Sequence, residues 1–274
     1  MKQPAHAFLL MLVIITLAAC HPSKKTTVKE MEHKEPAAVV KTLAQDPGKY
    51  QDKFEKGVDF FANGNEPFWS LEIDFDKYMH FKTLNGIDIT TPAVKGEKAM
   101  DAPVTRYAAS TEKGMLIIQV AKQECINDMS GEKFPYKVTV DVKLNSEVDY
   151  TTYKGCGQNL ADYKLYDIWV LDSMNHKKVL AADYSRGLPR LEFNLTQNTV
   201  MGFAGCNEMS GNIEIMGKAI RFSRIITTKK VCDGIKEDAY LQQLTNKTVR
   251  YSIDKLKLFL QTDDGSTLIY KKVD

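Results

Sequence analysis

The residues of this 274-residue chain whose type and spacing could do chemistry are its five cysteines: Cys20, Cys125, Cys156, Cys206 and Cys232. Cys206 stands between glycine and asparagine in GFAGCNEMSGN, residues 202–212. A thiol there is open to three roles. A nucleophile needs a lowered thiol pKa and a partnering base, usually histidine. Beyond residue 56 the histidines are His80 and His176, and nothing in the sequence places either beside it. A zinc site wants Cys or His pairs a few residues apart, and no two cysteines stand that close. The third role, one half of a disulfide, depends on the compartment. Among the carboxylates, Glu72, Asp74 and Asp76 alternate along one stretch and offer oxygens to a hard cation such as calcium. The same alternation is also what the wet face of a strand looks like. Glu66, directly before Pro67 and beside aromatics, could cap a turn or sit in a pocket. The chain has no G-x-S-x-G elbow, P-loop, G-x-G-x-x-G or H-E-x-x-H motif.

The compartment is written in the first twenty residues, MKQPAHAFLLMLVIITLAAC. Lys2 precedes an apolar run from about Ala7 to Ala19, too short to span a bilayer as a helix, and small residues end it. Leu17-Ala18-Ala19-Cys20 resembles the bacterial lipobox, in which the cysteine is acylated and becomes the first mature residue. That resemblance implies a membrane partner through acylated Cys20, because two or more acyl chains anchor stably where one holds marginally. His21, rather than aspartate, follows Cys20; by similarity to known sorting rules this directs the protein to the outer membrane, on either face. Export leaves four cysteines in an oxidising compartment, an even number that reads as disulfides with three open connectivities.

The elements that must position these residues are mostly strands. Residues 1–19 read as a signal peptide and 20–56, rich in Lys, Glu, Thr and Pro, as a flexible tether. From there the pattern turns to period two. In WSLEIDFD, Trp69, Leu71, Ile73 and Phe75 oppose Ser70, Glu72, Asp74 and Asp76, and YKVTVDVKL (136–144) alternates the same way. Turn residues bound these segments, which define a first β domain over 57–161. The grammar restarts with DIWVLD, RLEFNL, TVMGFAG, GNIEIM, KAIRFSRI, KLKLFLQT and STLIYKKV, the last two joined by the hairpin residues Asp264-Gly265. One segment, DGIKEDAYLQQLTNK, has Ile235, Tyr240, Leu241 and Leu244 at helical spacing behind Asp233 as a cap. The expectation is a mainly β chain with two small antiparallel barrel-like domains, 57–161 and 162–274, the second carrying one short helix. This division favours Cys125–Cys156 and Cys206–Cys232, each closing a loop inside one domain. Trp69 and Trp169 each occupy an apolar strand position and read as core anchors, with an aromatic ligand platform as the alternative.

The second unit resembles the META (HslJ-like) domain. The series that carries the likeness is Ile168-Trp169-Val170-Leu171, Leu191-Glu192-Phe193, Gly202, Gly205-Cys206-Asn207, Ser210-Gly211, Ile225-Ile226-Thr227-Thr228 and Cys232. Glu237, Tyr240 and Leu244 of the helix and the Leu256/Leu258 hairpin complete it. The resemblance implies a compact barrel with a packed helix in a bacterial envelope protein, loosely tied to heat stress and drug tolerance, and it supplies no catalytic residues. The first unit is similar to an uncharacterised lipoprotein domain found beside META domains. Its carriers are Gly64-Asn65-Glu66-Pro67-Phe68-Trp69, Cys125, Met129-Ser130-Gly131, Pro135-Tyr136 and Gly155-Cys156-Gly157.

Function follows only coarsely. A net charge of +2 with both signs interspersed gives no argument for a nucleic-acid partner. The expectation is a lipid-anchored envelope protein that is not an enzyme and uses no cofactor, with a binding or structural role in envelope maintenance or stress tolerance. Two alternatives stand beside it. One is a carrier of a small apolar ligand inside a barrel; the other is an inhibitor of an extracytoplasmic hydrolase, acting through a protruding loop at 172–189.

Overall fold

The computed structural model describes residues 48–232 and 236–273. The signal segment, Cys20, and the tether up to residue 47 lie outside the described residues, as do Asp233 and Ile235. Residues 48–56, expected as the end of the tether, are part of the folded body. They include helix α1 (Gln51–Glu55). The reason is two aromatics set among charged residues. The Tyr50 ring lies 5.2 Å from that of Phe61, and Phe54 packs on the cluster of Val58, Phe61 and Leu160. Lys53 reaches Glu72 at 2.6 Å.

The first sheet is built from β1 (Phe60–Asn65), β2 (Phe68–Asp74), β3 (Tyr78–Thr83), β4 (Asp88–Pro92), β5 (Glu97–Lys98), β6 (Val104–Thr111) and β7 (Gly114–Ala121). A two-strand excursion, β8 (Cys125–Ile126) and β9 (Lys133–Phe134), precedes β10 (Tyr136–Leu144) and β11 (Thr151–Asn159). The order is β4-β3-β2-β1-β11-β10-β7-β6-β5, antiparallel throughout, and the sheet curls into a half-barrel without closing. Its concave face is the core, with Phe60, Trp69, Leu71, Phe81, Ile118 and Val140 buried. Gly64 and Gly155 face Trp69. A Cβ on Gly64 would stand 2.2 Å from the indole Nε1, and one on Gly155 would stand 2.0 Å from the Asn63 carbonyl. Only glycine lets β1 and β11 close over a ring of that size.

The second sheet follows with β12 (Ile168–Met174), β13 (Lys177–Lys178), β14 (Arg190–Asn194), β15 (Thr199–Phe203), β16 (Glu208–Met216) and β17 (Ala219–Thr227). Helix α2 (Lys236–Gln242) comes next, then β18 (Thr248–Asp254), β19 (Lys257–Thr262) and β20 (Thr267–Lys272). β20 pairs with both β19 and β12, so eight strands close into a barrel. Register shifts between Leu171 and Ser173 and between Ser210 and Asn212 bend β12 and β16 around the corners that closure requires. Trp169, Phe193, Phe222, Tyr240 and Tyr270, each 1% exposed or less, fill the interior together with aliphatic side chains. The fold is therefore mainly β, as the period-two pattern required, with α2 in the expected segment.

The two sheets meet along a polar seam. The Asp162 backbone N–H donates to the Tyr251 hydroxyl at 3.0 Å, and Lys122 pairs with Glu214 at 2.7 Å. Gly217, at φ +59°, lies against Asp59, and a Cβ there would stand 2.5 Å from the carboxylate carbon.

Candidate functional site

The stretch around Cys206 is a latch. Cys206 is joined to Cys232, with a Cα–Cα distance of 6.2 Å, and Cys125 to Cys156 at 5.5 Å. A thiol consumed in a disulfide is no nucleophile, so the third role holds for Cys206. Its neighbour Asn207 does as much structurally. The buried Asn207 side chain accepts from the Thr228 hydroxyl at 2.8 Å and from the Lys230 backbone N–H at 2.7 Å. Its amide donates to the Glu237 carboxylate at 3.0 Å and to the Lys230 carbonyl at 3.4 Å. The Asn207 backbone N–H donates to the other Glu237 oxygen at 2.8 Å. One asparagine thus uses both ends of its amide to hold the segment after β17 and the helix α2 on the β15–β16 turn. Gly205, at φ +105°, leaves room for the Tyr184 ring, which a Cβ would meet at 2.1 Å. The sequence singled out the cysteine of this motif; the asparagine carries the hydrogen bonding, and an amide between a cysteine and a glycine-bounded strand was its signal.

On the outside of the barrel, a shallow groove of about 440 Å³ crosses β14 to β17. Met201 and Ile226, 54% and 67% exposed, form its apolar part. Arg190 lies 3.6 Å from the Glu208 carboxylate and stacks over the Phe203 ring at 5.2 Å. Gly202 lets β15 pass close to β14, since a Cβ would stand 2.1 Å from the Arg190 carbonyl. Thr228 belongs to both features, lining the groove while its hydroxyl holds Asn207.

The remaining candidate residues do not gather. Trp69 and Trp169 are core residues with satisfied N–H groups, donated to the Lys154 carbonyl at 3.2 Å and the Leu165 carbonyl at 3.1 Å. The carboxylates of the β2 stretch diverge. Glu72 pairs with Lys53, and Asp76 lies 4.0 Å from Arg250. Asp74 is not on a wet face as the alternation suggested; it is 4% exposed, close to Asp59 at the seam. Among the described residues no three His, Cys, Asp or Glu side chains come together as a metal site. Glu66 is exposed on the β1–β2 turn. Segment 172–189 does not protrude freely: Val179 and Tyr184 are buried and Asp183 pairs with Lys236.

Asp59 is the unusual titrating group. It is 6% exposed, and one oxygen accepts from the Phe75 backbone N–H at 2.9 Å while the other has no partner. Burial, and then the Asp74 charge, push its carboxyl up; the Phe75 N–H and Lys218 oppose the shift. Inside the barrel, Tyr270 donates to Tyr240 at 3.3 Å, and burial raises both phenols.

Residues 158–274 match the META domain. The META match begins within β11, four residues before the boundary expected at 162. Two solved structures are similar to this chain. One is the NMR structure of a protein from Burkholderia xenovorans, 25% identical, covering 40% of this chain and 85% of its own, with a TM-score of 0.34. The second is also an NMR structure of a protein, 20% identical over 39% of this chain and 90% of its own, with a TM-score of 0.33. No curated protein matches. Within the matched residues 158–274, the positions that carry the likeness divide between latch and groove. Cys206, Asn207 and Glu237 belong to the first, Gly202, Ile226 and Thr227 to the second.

Proposed function

We propose that this chain is a lipid-anchored envelope protein whose two β units form a non-enzymatic binding and structural body, serving envelope maintenance or stress tolerance. The observation that carries the reading is the packing of both units. The half-barrel is filled by Phe60, Trp69, Leu71 and Phe81, and the META barrel by Trp169, Tyr240, Tyr270 and Phe222. A ligand carrier needs an apolar cavity, and these interiors are occupied by their own side chains. A partner is then met on the outer surface. Two disulfides suit a body held outside the cytoplasm, and the Leu17-Ala18-Ala19-Cys20 segment supports the same compartment. The hydrolase-inhibitor alternative loses its loop, since 172–189 is tied to the barrel by Val179, Tyr184 and Asp183.

Intact mass of the protein extracted from membranes tests the anchor. The expected mass begins at Cys20 and includes acyl chains, and Cys20→Ala releases the body or stalls it unprocessed. A mature N-terminus elsewhere sinks the reading. The role is tested with a strain lacking the protein, challenged with heat and detergent. Survival should drop and return with the wild type but not with Cys20→Ala; unchanged survival in both stresses refutes the envelope role.

A further inference from the structure

One corner of the half-barrel exposes apolar side chains that the fold does not use. On the β1–β2 turn, Pro67 and Phe68 are exposed, Phe68 by 46%. Leu84, 79% exposed, lies beside it, its backbone N–H donating to the Phe68 carbonyl at 3.3 Å. Across the turn, Asn65 donates to the buried Asn127 at 2.8 Å, and Asn127 in turn accepts from the backbone N–H groups of Met129 and Ser130. The flanking Ile126 and Met129 are 53% and 64% exposed. Two turns and the β8–β9 excursion, stapled to β11 by Cys125–Cys156, therefore hold four large apolar side chains outward at one place.

Three facts say what covers it. First, the described residues begin here: Lys49 pairs with Glu132, on the same excursion, at 2.6 Å. Second, only the roughly 27 residues from 21 to 47 separate that point from Cys20, and a chain of that length reaches at most about 95 Å. A tether of that length makes even a weak contact with the anchoring surface effectively intramolecular. Third, Lys82, two residues before Leu84, is exposed without an ion-pair partner among the described residues. So are Lys137, opposite Cys156 on β10, and Lys154, whose carbonyl lies against Gly64. Glu66 and Asp128 are the unpaired carboxylates on the same rim, whereas Glu124 and Glu132 are taken up by Lys133 and Lys49. Apolar side chains flanked by three unpaired lysines, against two unpaired carboxylates among the described residues, fit the headgroup and upper acyl region of an anionic bilayer.

From this geometry we propose that the Phe68–Leu84–Ile126–Met129 corner rests on the membrane that holds the protein's own anchor, so that the META barrel is displayed with a fixed orientation. The proposal rests on the anchoring reading above. The test uses the full-length protein purified from membranes and reconstituted in phosphatidylethanolamine–phosphatidylglycerol vesicles that contain a phospholipid with a photoactivatable diazirine in its acyl chain. Intact mass before reconstitution scores the anchor by itself, and the mapped label then scores the surface. Peptides containing residues 65–68, 84–87 and 126–131 should carry roughly five-fold more label than those containing Met201 and Ile226, which are equally exposed elsewhere. The pair Phe68→Ser and Leu84→Ser should abolish that excess, and Met129→Ser with Ile126→Ser should do so independently. Retained tryptophan fluorescence and intact disulfides show that each variant is folded. An acylated protein whose label is equal on the two faces, or concentrated on the Met201–Ile226 face, overturns the proposal while leaving the anchor in place. A protein without acyl chains at Cys20 overturns both.

Discussion

Replacing Asn207 with alanine tests the claim that the Gly-Cys-Asn motif is a latch built on an amide rather than a reactive thiol. The side chain makes four hydrogen bonds, to Thr228, to both backbone groups of Lys230 and to Glu237. Each neutral bond is worth about 0.5–1.5 kcal/mol net and the one to the carboxylate about 1.5–3 kcal/mol. The contact at 3.4 Å is the weakest of the set. Asn207→Ala should therefore cost roughly 3–5 kcal/mol, a large part of the 5–15 kcal/mol that holds an ordinary domain together. For comparison, the Cys206–Cys232 disulfide, with a sequence separation of 26, contributes about 3.5 kcal/mol on the chain-entropy model. Urea unfolding of the oxidised protein, followed by tryptophan fluorescence, measures the loss. Each unit holds one tryptophan, so transitions of half-barrel and barrel are separable through Trp69→Phe and Trp169→Phe backgrounds. The damage should be confined to the barrel transition, and limited dithiothreitol should then reduce Cys206–Cys232 faster than Cys125–Cys156. Asn207→Asp sharpens the test. It replaces the donor facing Glu237 with a second carboxylate oxygen about 3 Å away, so it should be worse than alanine at pH 7. Its deficit should shrink as pH falls through the carboxylate range, where the pair can share a proton. A cost below about 1 kcal/mol for alanine, or an aspartate no worse than alanine at neutral pH, would refute the latch.

Three further outcomes follow from other parts of the molecule. Gly155→Ala forces a Cβ to 2.0 Å from the Asn63 carbonyl and 2.7 Å from the Trp69 ring, so β1 and β11 must part. A loss of about 3 kcal/mol or more and a red-shifted Trp69 emission are expected, and an unchanged urea midpoint would show that the strands yield freely. Asp59→Asn removes a buried charge whose folded pKa is raised, chiefly by burial. A raised carboxyl means that stability falls as pH rises through its titration, so the variant should be more stable than the wild type at pH 7. That advantage should vanish at acid pH; a variant less stable at pH 7 contradicts the reading of Asp59 as an uncompensated charge. Tyr136 and Tyr184 are pushed up to about 12, chiefly by burial, against an ordinary 10.0. Their stabilising effect is complete below pH 10 and is lost as pH rises towards 12. Phenolate absorbance should thus appear in two steps, the later one coinciding with loss of structure, whereas a single step near pH 10 would mean these rings are wet.

What the sequence conveyed, and what it withheld, divides along one physical line. Features that depend on a strand and its immediate neighbours were legible. Alternation marked β2 and β10, Asp264-Gly265 marked the last hairpin, and Tyr240 and Leu244 marked the buried side of α2. Features that depend on what another strand brings were not. Asp74 sits in a polar register position yet is buried, because Gly57 and Asp59, in the chain leading into β1, lie against that end of β2. β11, TTYKGCGQN, shows no apolar alternation, because its inward positions Gly155 and Gly157 are small where Trp69 and Phe60 are large. A core filled from one side leaves a blank on the other, and volume complementarity of this kind has no period to detect. The groove is the same problem at longer range. Gly202 and Ile226 are two dozen residues apart and meet only through the register of β15, β16 and β17. Asn207 lies between these cases. Its type and its place beside Cys206 were visible, but its partners Thr228, Lys230 and Glu237 arrive only when the disulfide brings the chain after β17 back to the β15–β16 turn. The cysteine that looked reactive is therefore the reason the asparagine can be buried, and the asparagine is the reason that the returning segment has a single place to go.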